Sequence, residues 1–195
     1  VSSNNVTWEI ARKHDLGLDV YLFGDKFGLT VDYFDEKREG IYMTRSYLSD
    51  MVGIQGENPS ANVGSVKTKG FDGNFKLDQR AGDVGLQIRG NFTYSKNKII
   101  EADEMVSRYP YLRRTGFRID QAKGLIALGL FEDYEDIRNS PRQDFADARD
   151  LMPGDIKYKD INGDGIINDD DVVPIGSTTR PNLIYGLGLS ATWKG

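Results

Sequence analysis

The chain has 195 residues, of which 38% are apolar and 28% charged, and its mean hydropathy is −0.50. This composition excludes a helical membrane protein, which needs uninterrupted apolar runs of about 18 residues. A net charge of −5 supplies no overall basic field, so nucleic acid is excluded as a partner. With no cysteine and a single histidine, the sequence also excludes disulfides and metal sites built from thiolates or from two imidazoles.

Two alternating runs joined by a tight turn form the first predicted elements. In residues 14–23, leucine and valine occupy one face and mostly polar residues the other, and residues 27–35 repeat this period of two. Between the two runs, Gly24, Asp25 and Lys26 are typical of a β-hairpin turn. We therefore expect two antiparallel strands at the start of the chain.

Three more alternating runs follow, at residues 66–77, 84–95 and 183–194. The clearest places Leu86, Ile88 and Phe92 on one face and Gln87, Arg89 and Asn91 on the other. The runs are about 9 to 12 residues long, whereas strands of soluble proteins average about 5 to 6. Aromatic residues that would suit the membrane interface stand at their ends: Trp8, Tyr33, Phe34, Tyr94, Tyr185 and Trp193.

The pattern predicts an all-β fold, an antiparallel segment of a transmembrane β-barrel with about five strands. The connections alternate between short and long, as periplasmic turns and outer loops do in such barrels, and the longest covers residues 96–181. We expect that stretch to be one long extracellular loop. Alternation by itself also fits a soluble β-sandwich, in which the apolar face of the strands meets a second sheet instead of lipid.

The long loop carries most of the negative charge. Residues 101–171 contain 17 acidic and 10 basic side chains, which is typical of a solvated, cation-binding surface. Within it, residues 125–131 are apolar enough for a short strand or turn, and residues 134–150 show helical spacing that predicts one or two short helices.

Near the end of this loop, residues 160–171 match the spacing of an EF-hand calcium loop. Oxygen-bearing side chains stand at positions 1, 3 and 5, glycine at position 6, an apolar residue at position 8 and a carboxylate at position 12. The same residues also fit an ion-free turn rich in aspartate and glycine. If the loop binds Ca²⁺, the predicted ligands are Asp160, Asn162, Asp164, the Ile166 carbonyl, Asn168 through a water, and Asp171. No flanking helices are predicted, so the ion would have a structural role.

No other motif indicates chemistry. His14 has no catalytic partner by spacing, and no serine–histidine or paired-carboxylate arrangement can be placed. We therefore predict no enzyme activity, no catalytic residues and no organic cofactor, and we assign no ligand-binding residues.

Several segments together resemble the SusC/RagA-like TonB-linked outer-membrane transporters of the Bacteroidetes. The resemblance covers nearly the whole chain and corresponds to a late portion of the barrel. The most specific part runs from residues 154–160 through residues 175–176 and continues at residues 181 and 185–186. The other matching segments are residues 6–9, 15–19, 29–35, 62–66, 69–70 and 124–131.

This resemblance implies an outer-membrane location and a 22-stranded barrel with an N-terminal plug. It implies uptake of oligosaccharides or peptides driven through TonB, together with a SusD-like surface lipoprotein that closes over the mouth. The plug and the TonB-binding segment would lie in other parts of a longer protein, and outer-membrane lipid would surround the barrel. The chain stops within an alternating run at residues 191–195, so we expect it to be a piece of that longer protein. The alternative is a soluble, calcium-stapled β-sandwich that acts as a cell-surface binding module.

Overall fold

The computed structural model describes residues 6–45, 59–145 and 150–194, without the side chain of Ser177. The chain divides into two compact units. The sheet unit contains the described residues up to Met105, Thr115–Ile119 and those from Arg180 onwards. The loop unit contains Val106–Arg114 and the described residues of Asp120–Thr179. No helix in the described part of the chain is long and apolar enough to cross a membrane.

One five-stranded antiparallel sheet forms the sheet unit. Its strands are β1 (Ile10–Leu22), β2 (Phe27–Thr44), β3 (Ser60–Ala81), β4 (Val84–Glu101) and, after the loop unit, β11 (Leu183–Trp193). They are ordered β1-β2-β3-β4-β11. The sequence therefore predicted the five strands and their antiparallel character correctly, and β2, β3 and β4 all continue past the predicted ends.

Tight turns at one end of the sheet fix its register. Phe23, Gly24 and Asp25 take positive φ between β1 and β2, and Gly82 does so at 60° between β3 and β4. Positive φ at the centre of a two-residue turn matches the right-handed twist of the strands, and glycine adopts it without steric cost. The predicted hairpin turn at residues 24–26 is confirmed.

The loop unit is built from short elements. Its strands are β5 (Gln121–Gly124), β6 (Ala127–Leu130), β7 (Arg142–Gln143), β8 (Ile156–Tyr158), β9 (Ile166–Ile167) and β10 (Val173–Thr178). They pair as β5 with β10, β6 with β8, and β7 with β9, the last pair being parallel. The helix α1 covers Tyr134–Asn139, within the region predicted to be helical, and residues 146–149 of that region lie outside the described residues.

The core of the loop unit is small and depends on side chains that reach between elements. Phe131 is 2% exposed and Ile167 is completely buried. Gln143 links two of the strand pairs, because its amide nitrogen donates to the carbonyl of Ile156 at 3.1 Å and its oxygen accepts from the N–H of Tyr158 at 2.9 Å. The unit is therefore held by local hydrogen bonds around two buried apolar side chains.

Candidate functional site

The register of the sheet gathers the apolar side chains of all five strands on one face. Residues directly opposite each other in an antiparallel pair lie on the same side of the sheet. One such row crosses the whole sheet as Leu16, Tyr33, Phe71, Tyr94 and Leu183. Leu18, Val31, Gly73, Phe92 and Tyr185 form the next row. The face predicted from alternation is thus continuous over five strands, and we call it the apolar face.

This apolar face is uncovered. Tyr185, Leu187 and Leu189 are each between 67% and 75% exposed, and Leu16 is 74% exposed. In the described residues, the only other sheets are pairs of short strands, so no second sheet of comparable size is available to pack against this face. Monomeric soluble proteins rarely expose a continuous apolar surface of this extent. The arrangement therefore favours a lipid-facing wall over the soluble sandwich.

The height of the apolar face agrees with a membrane barrel. Along β4 it runs from Val84 to Tyr94, ten residue steps in the register with β11. At a rise of about 3.4 Å per residue this is about 34 Å along the strand. A strand tilt of about 40° reduces it to a height of about 26 Å, close to the apolar band of about 25 Å in outer-membrane barrels.

The opposite face is polar and bears an open cavity of about 720 Å³ lined partly by Asn74, Lys76, Gln87, Arg89 and Asn91. Glycines of β11 make room for two of these side chains. A Cβ on Gly188 would come within 3.0 Å of Nε of Arg89, and one on Gly186 within 2.9 Å of the side-chain oxygen of Asn91. Arg89 and Asn91 therefore extend across the neighbouring strand, and the cavity offers both hydrogen-bond donors and acceptors.

The acidic loop at residues 160–171 is ordered by its own carboxylates. Asp160 accepts hydrogen bonds from the backbone N–H groups of Gly163 at 2.6 Å and Gly165 at 2.8 Å. Asp164 accepts from the N–H of Ile166 at 2.8 Å and from the side-chain amide of Asn162 at 3.0 Å. These bonds wind the segment into a tight loop, in which Gly163 and Gly165 both take positive φ.

Asp171 closes this loop from the inside. Its side chain is completely buried and accepts from the N–H groups of Ile161 at 2.7 Å and Asn168 at 3.0 Å. Asn168 caps the following turn, Asp169–Asp171, and its side chain accepts from the N–H of Asp170. Ile167 packs inward between these groups, as the loop pattern predicted.

The donor set suits a hard cation, although the side chains do not already form a metal cage. Among the described residues, no three acidic or histidine side chains converge closely enough to hold a metal ion. The available atoms of Asp160, Asn162, Asp164, Asn168 and Asp171 and the carbonyl of Ile166 are all oxygens, the ligand type of Ca²⁺ and Mg²⁺. Each carboxylate oxygen of Asp160 and Asp164 accepts one N–H bond and keeps a second lone pair, whereas one oxygen of Asp171 accepts from the N–H groups of both Ile161 and Asn162.

Tyr111 contacts the acidic loop, and this contact could not be predicted from the sequence because 59 residues separate Tyr111 from Asp170. Its hydroxyl donates to the carbonyl of Asp170 at 2.8 Å. Its pKa is raised, first by burial and then by the negative field of Tyr109, Asp171, Asp170 and Asp160. The pKa of Tyr111 therefore depends in part on the negative charge of the acidic loop.

A known protein family matches almost the whole chain. The model of the family described as TonB dependent receptor-like, beta-barrel, matches residues 1–193. The chain belongs to this family. Its members are receptors and transporters of the bacterial outer membrane rather than enzymes, so the chain is an outer-membrane protein and the resemblance seen in the sequence is confirmed.

Two curated relatives are TonB-dependent receptors P26 and P3 of Formosa agariphila. Each is 26% identical over 99% of this chain, and the chain spans only 20% of either relative's length. Among solved structures, the RagAB peptide transporter is 18% identical, with a TM-score of 0.65 over 96% of this chain and 20% of that chain. The 'open-open' state of the RagAB peptide importer gives the same TM-score at 17% identity, over 98% of this chain and 20% of that chain. These structural likenesses support the fold.

Proposed function

We propose that this member of the TonB-dependent receptor family forms part of the wall of an outer-membrane importer driven through TonB. The observation that carries the proposal is the continuous, uncovered apolar face of five paired strands, with the height of a membrane-spanning band. In the described residues β1 pairs only with β2, and β11 only with β4. Since the smallest closed barrels need about eight strands, other strands of a longer protein must continue both edges.

We further propose that the cargo is an oligosaccharide or a peptide and that a SusD-like lipoprotein closes the mouth. Support comes from the sequence segments that resemble SusC-like transporters and from the fold shared with a protein described as a peptide transporter. The loop unit would lie outside the cell and contribute to the rim that meets this lipoprotein. Its surface is acidic around α1, where Glu132, Asp133, Glu135 and Asp136 line a cavity of about 550 Å³ together with Lys157.

Deletion of residues 132–149 in the full-length protein tests the rim. We expect weaker retention of the lipoprotein or slower uptake, while the barrel still inserts into the outer membrane. A matched control replaces the same residues with a glycine–serine linker of equal length, which keeps the loop length and removes its chemistry. If both variants import cargo and retain the lipoprotein as the wild type does, the loop unit has no role at the rim.

Calcium binding at residues 160–171 is a second proposal. Asp160, Asn162, Asp164 and Asp171 would supply side-chain oxygens, Ile166 its backbone carbonyl, and Asn168 a contact through water. The fit rests on the all-oxygen donor set and on a buried carboxylate at the last position of the loop. Because several carboxylates crowd one turn, a cation would reduce their mutual repulsion and hold the loop together.

The test combines Asp160→Ala with Asp164→Ala and uses Asp169→Ala as the control, since Asp169 is exposed and stands outside the predicted ligand set. Calorimetry should show loss of Ca²⁺ binding only in the double variant, and proteolysis between residues 154 and 176 should become faster. Tyr111 offers a second readout. A bound cation cancels the negative field that contributes to its raised pKa, so Ca²⁺ should shift tyrosinate formation to lower pH. Equal Ca²⁺ binding by the double variant and the control would contradict the site.

A further inference from the structure

Beyond the aromatic row of the apolar face, the same side of the sheet becomes strongly basic. The row Leu16–Tyr33–Phe71–Tyr94 is followed, two residues further along each strand, by His14, Asp35, Lys69 and Lys96. After two more residues comes a row of four cations, Arg12, Lys37, Lys67 and Lys98. We call the six cations of these two rows the basic band: Arg12, Lys37, Lys67, Lys69, Lys96 and Lys98.

Like charges face each other directly within the basic band. Lys69 is opposite Lys96, and Lys67 is opposite Lys98, in consecutive rows of the same strand pair. Directly opposed like charges destabilise a sheet, with their Cβ atoms only about 5 Å apart. Four ammonium groups are thereby concentrated on one small area of β3 and β4.

The acids among the described residues neutralise the basic band only in part. The carboxylate of Asp35 forms ion pairs with the ammonium groups of both Lys67 and Lys69, with N–O distances of 3.3 Å and 3.2 Å. The carboxylate of Glu39 forms ion pairs with both Arg12 and Lys37. Lys96 and Lys98 are exposed and have no ion-pair partner among the described residues. Among the described residues of this face, the six cations of the basic band have three acids near them, namely Asp35, Glu39 and Glu101.

The excess is confined to one face and one end of the sheet. At the same height on the polar face, the corresponding residues include Lys13, Glu36 and Arg38, and Glu36 lies within 3.1 Å of both bases. At the other end of the apolar face, β2 begins after the tight turn around Gly24, and β3 ends at the tight turn around Gly82. A general need for solubility would not concentrate the excess of cations over acids on the outer side of this end of the sheet.

The lower row of the basic band lies at the height of the headgroup layer of a membrane, and the upper row lies just above that layer. Each row is two residues further, about 7 Å along the strand, or about 5 Å along the membrane normal after tilting. The two basic rows therefore lie about 5 and 10 Å above the aromatic row. The polar layer on each side of a bilayer is about 5 to 8 Å thick beyond the hydrocarbon boundary, where aromatic girdles lie.

We propose that the basic band binds the phosphate groups of a phosphorylated glycolipid in the outer leaflet, with the acyl chains of that lipid lying along the apolar face below it. The inference rests on the proposed function, which places the long-loop end of the sheet outside the cell. Charge complementarity identifies the occupant: an exposed cationic patch continuous with an exposed apolar face is complementary to an anionic amphiphile. Phosphate also gives Lys96 and Lys98 the anion that the described residues do not supply.

The experiment uses the full-length protein, purified in mild detergent, with Lys96→Gln combined with Lys98→Gln. The control combines Lys76→Gln with Arg89→Gln, a pair of opposed cations on the polar face of the same two strands. Binding of lipid A that carries phosphate is measured by native mass spectrometry, beside the same lipid after phosphatase treatment and beside inorganic phosphate alone. Each surface lysine contributes about fivefold in affinity for an anionic surface. We expect binding to fall at least tenfold in the basic-band variant and to remain unchanged in the control.

Three results would overturn the proposal: equal loss in both variants, equal binding of the phosphatase-treated lipid, or binding of inorganic phosphate without lipid. Heat-modifiable migration of the folded barrel, measured on the same samples, keeps this inference separate from the proposed function. A barrel that inserts and imports cargo but binds no phosphorylated lipid contradicts only the proposal that the basic band binds lipid phosphate. A protein that does not insert into the outer membrane contradicts the proposed function itself.

Discussion

The sheet unit and the loop unit differ in where their apolar side chains lie. In the sheet, leucine, tyrosine and phenylalanine point outward along a continuous face, and the few buried side chains, such as Ile99, lie elsewhere. In the loop unit, Phe131 and Ile167 are buried while many charged groups surround them. The sheet thus requires an apolar medium outside the protein, whereas the loop unit provides its own small interior. We therefore expect the loop unit to be destabilised by the loss of a buried apolar side chain, and the sheet by a charge placed on its exposed apolar face.

The largest expected effect is truncation of the loop-unit core. Phe131→Ala removes a ring that is 2% exposed and that Lys157 approaches to 5.8 Å, and such truncations cost about 3–5 kcal/mol. Hydrogen exchange of the full-length protein should speed up at residues 152–158 and stay unchanged in β1 to β4. Leu130→Ala, at a neighbouring site that is 61% exposed, is the control. Equal effects of the two variants would mean that the loop unit has no interior of its own.

A charge on the apolar face of the sheet should have the next largest effect. Ile88→Arg places a guanidinium where the register with Leu189 and Leu77 puts lipid, at a cost of about 2–4 kcal/mol near the bilayer midplane. Gln87→Arg, one residue away on the polar face, should cost little. The measurement is urea unfolding of the full-length protein in lipid vesicles. Equal tolerance of the two changes would contradict the lipid-facing assignment.

The smallest expected effect is a pH response of α1. The ammonium of Lys157 donates to Asp136 at 2.6 Å and lowers the pKa of that carboxyl, with further help from the N–H of Glu132 and the hydroxyl of Ser140. Since the folded pKa is the lower one, the stabilisation is complete above the ordinary aspartate pKa of about 3.9 and is lost as pH falls through the folded pKa.

Protection of α1 against hydrogen exchange should therefore decrease as the pH falls below about 4 in the wild type. Asp136→Asn should weaken α1 at pH 5 and remove most of this response. Glu135→Gln, on the exposed side of the same helix, should preserve it. An unchanged response in Asp136→Asn would show that other groups govern the acid behaviour of the loop unit.

Strand positions could be predicted from the sequence only where the two faces of the sheet meet different media. Between Leu16 and Tyr21, or Val84 and Tyr94, one side faces lipid and the other is polar, so alternation is clear. Past Tyr33 on β2 and Tyr94 on β4, both faces carry polar or charged side chains, and the period of two disappears although the backbone pairing continues. For this reason the predicted ends at residues 35 and 95 fall short of Thr44 and Glu101.

The loop unit was less predictable, for a different reason. Its strands have two to six residues, too few for any period to be recognised, and their pairings join distant positions such as Arg142 and Ile166. The spacing of residues 160–171 identified a tight loop with an inward Ile167, because local hydrogen bonds determine that shape. The contact of Tyr111 with Asp170 depends on the folded path of the chain and leaves no local signal.

The pairing of β5 with β10 has a consequence for how β11 joins the sheet. The connection from β4 to β11 covers residues 102–182 and is roughly twenty times longer than the turn from β1 to β2 at residues 23–26. Closing it as a flexible chain would cost about 3 kcal/mol more in entropy than closing that turn.

Gln121 pairs with Thr178, and the N–H of Thr179 donates to the carbonyl of Asp120 at 3.2 Å, so the two ends of the intervening segment are tied together. If residues 120–179 fold first, only residues 102–119 and 180–182 remain to be closed, which saves about 1 kcal/mol of that entropy. The strand β11 can then dock on β4 as though the segment between them were a short linker.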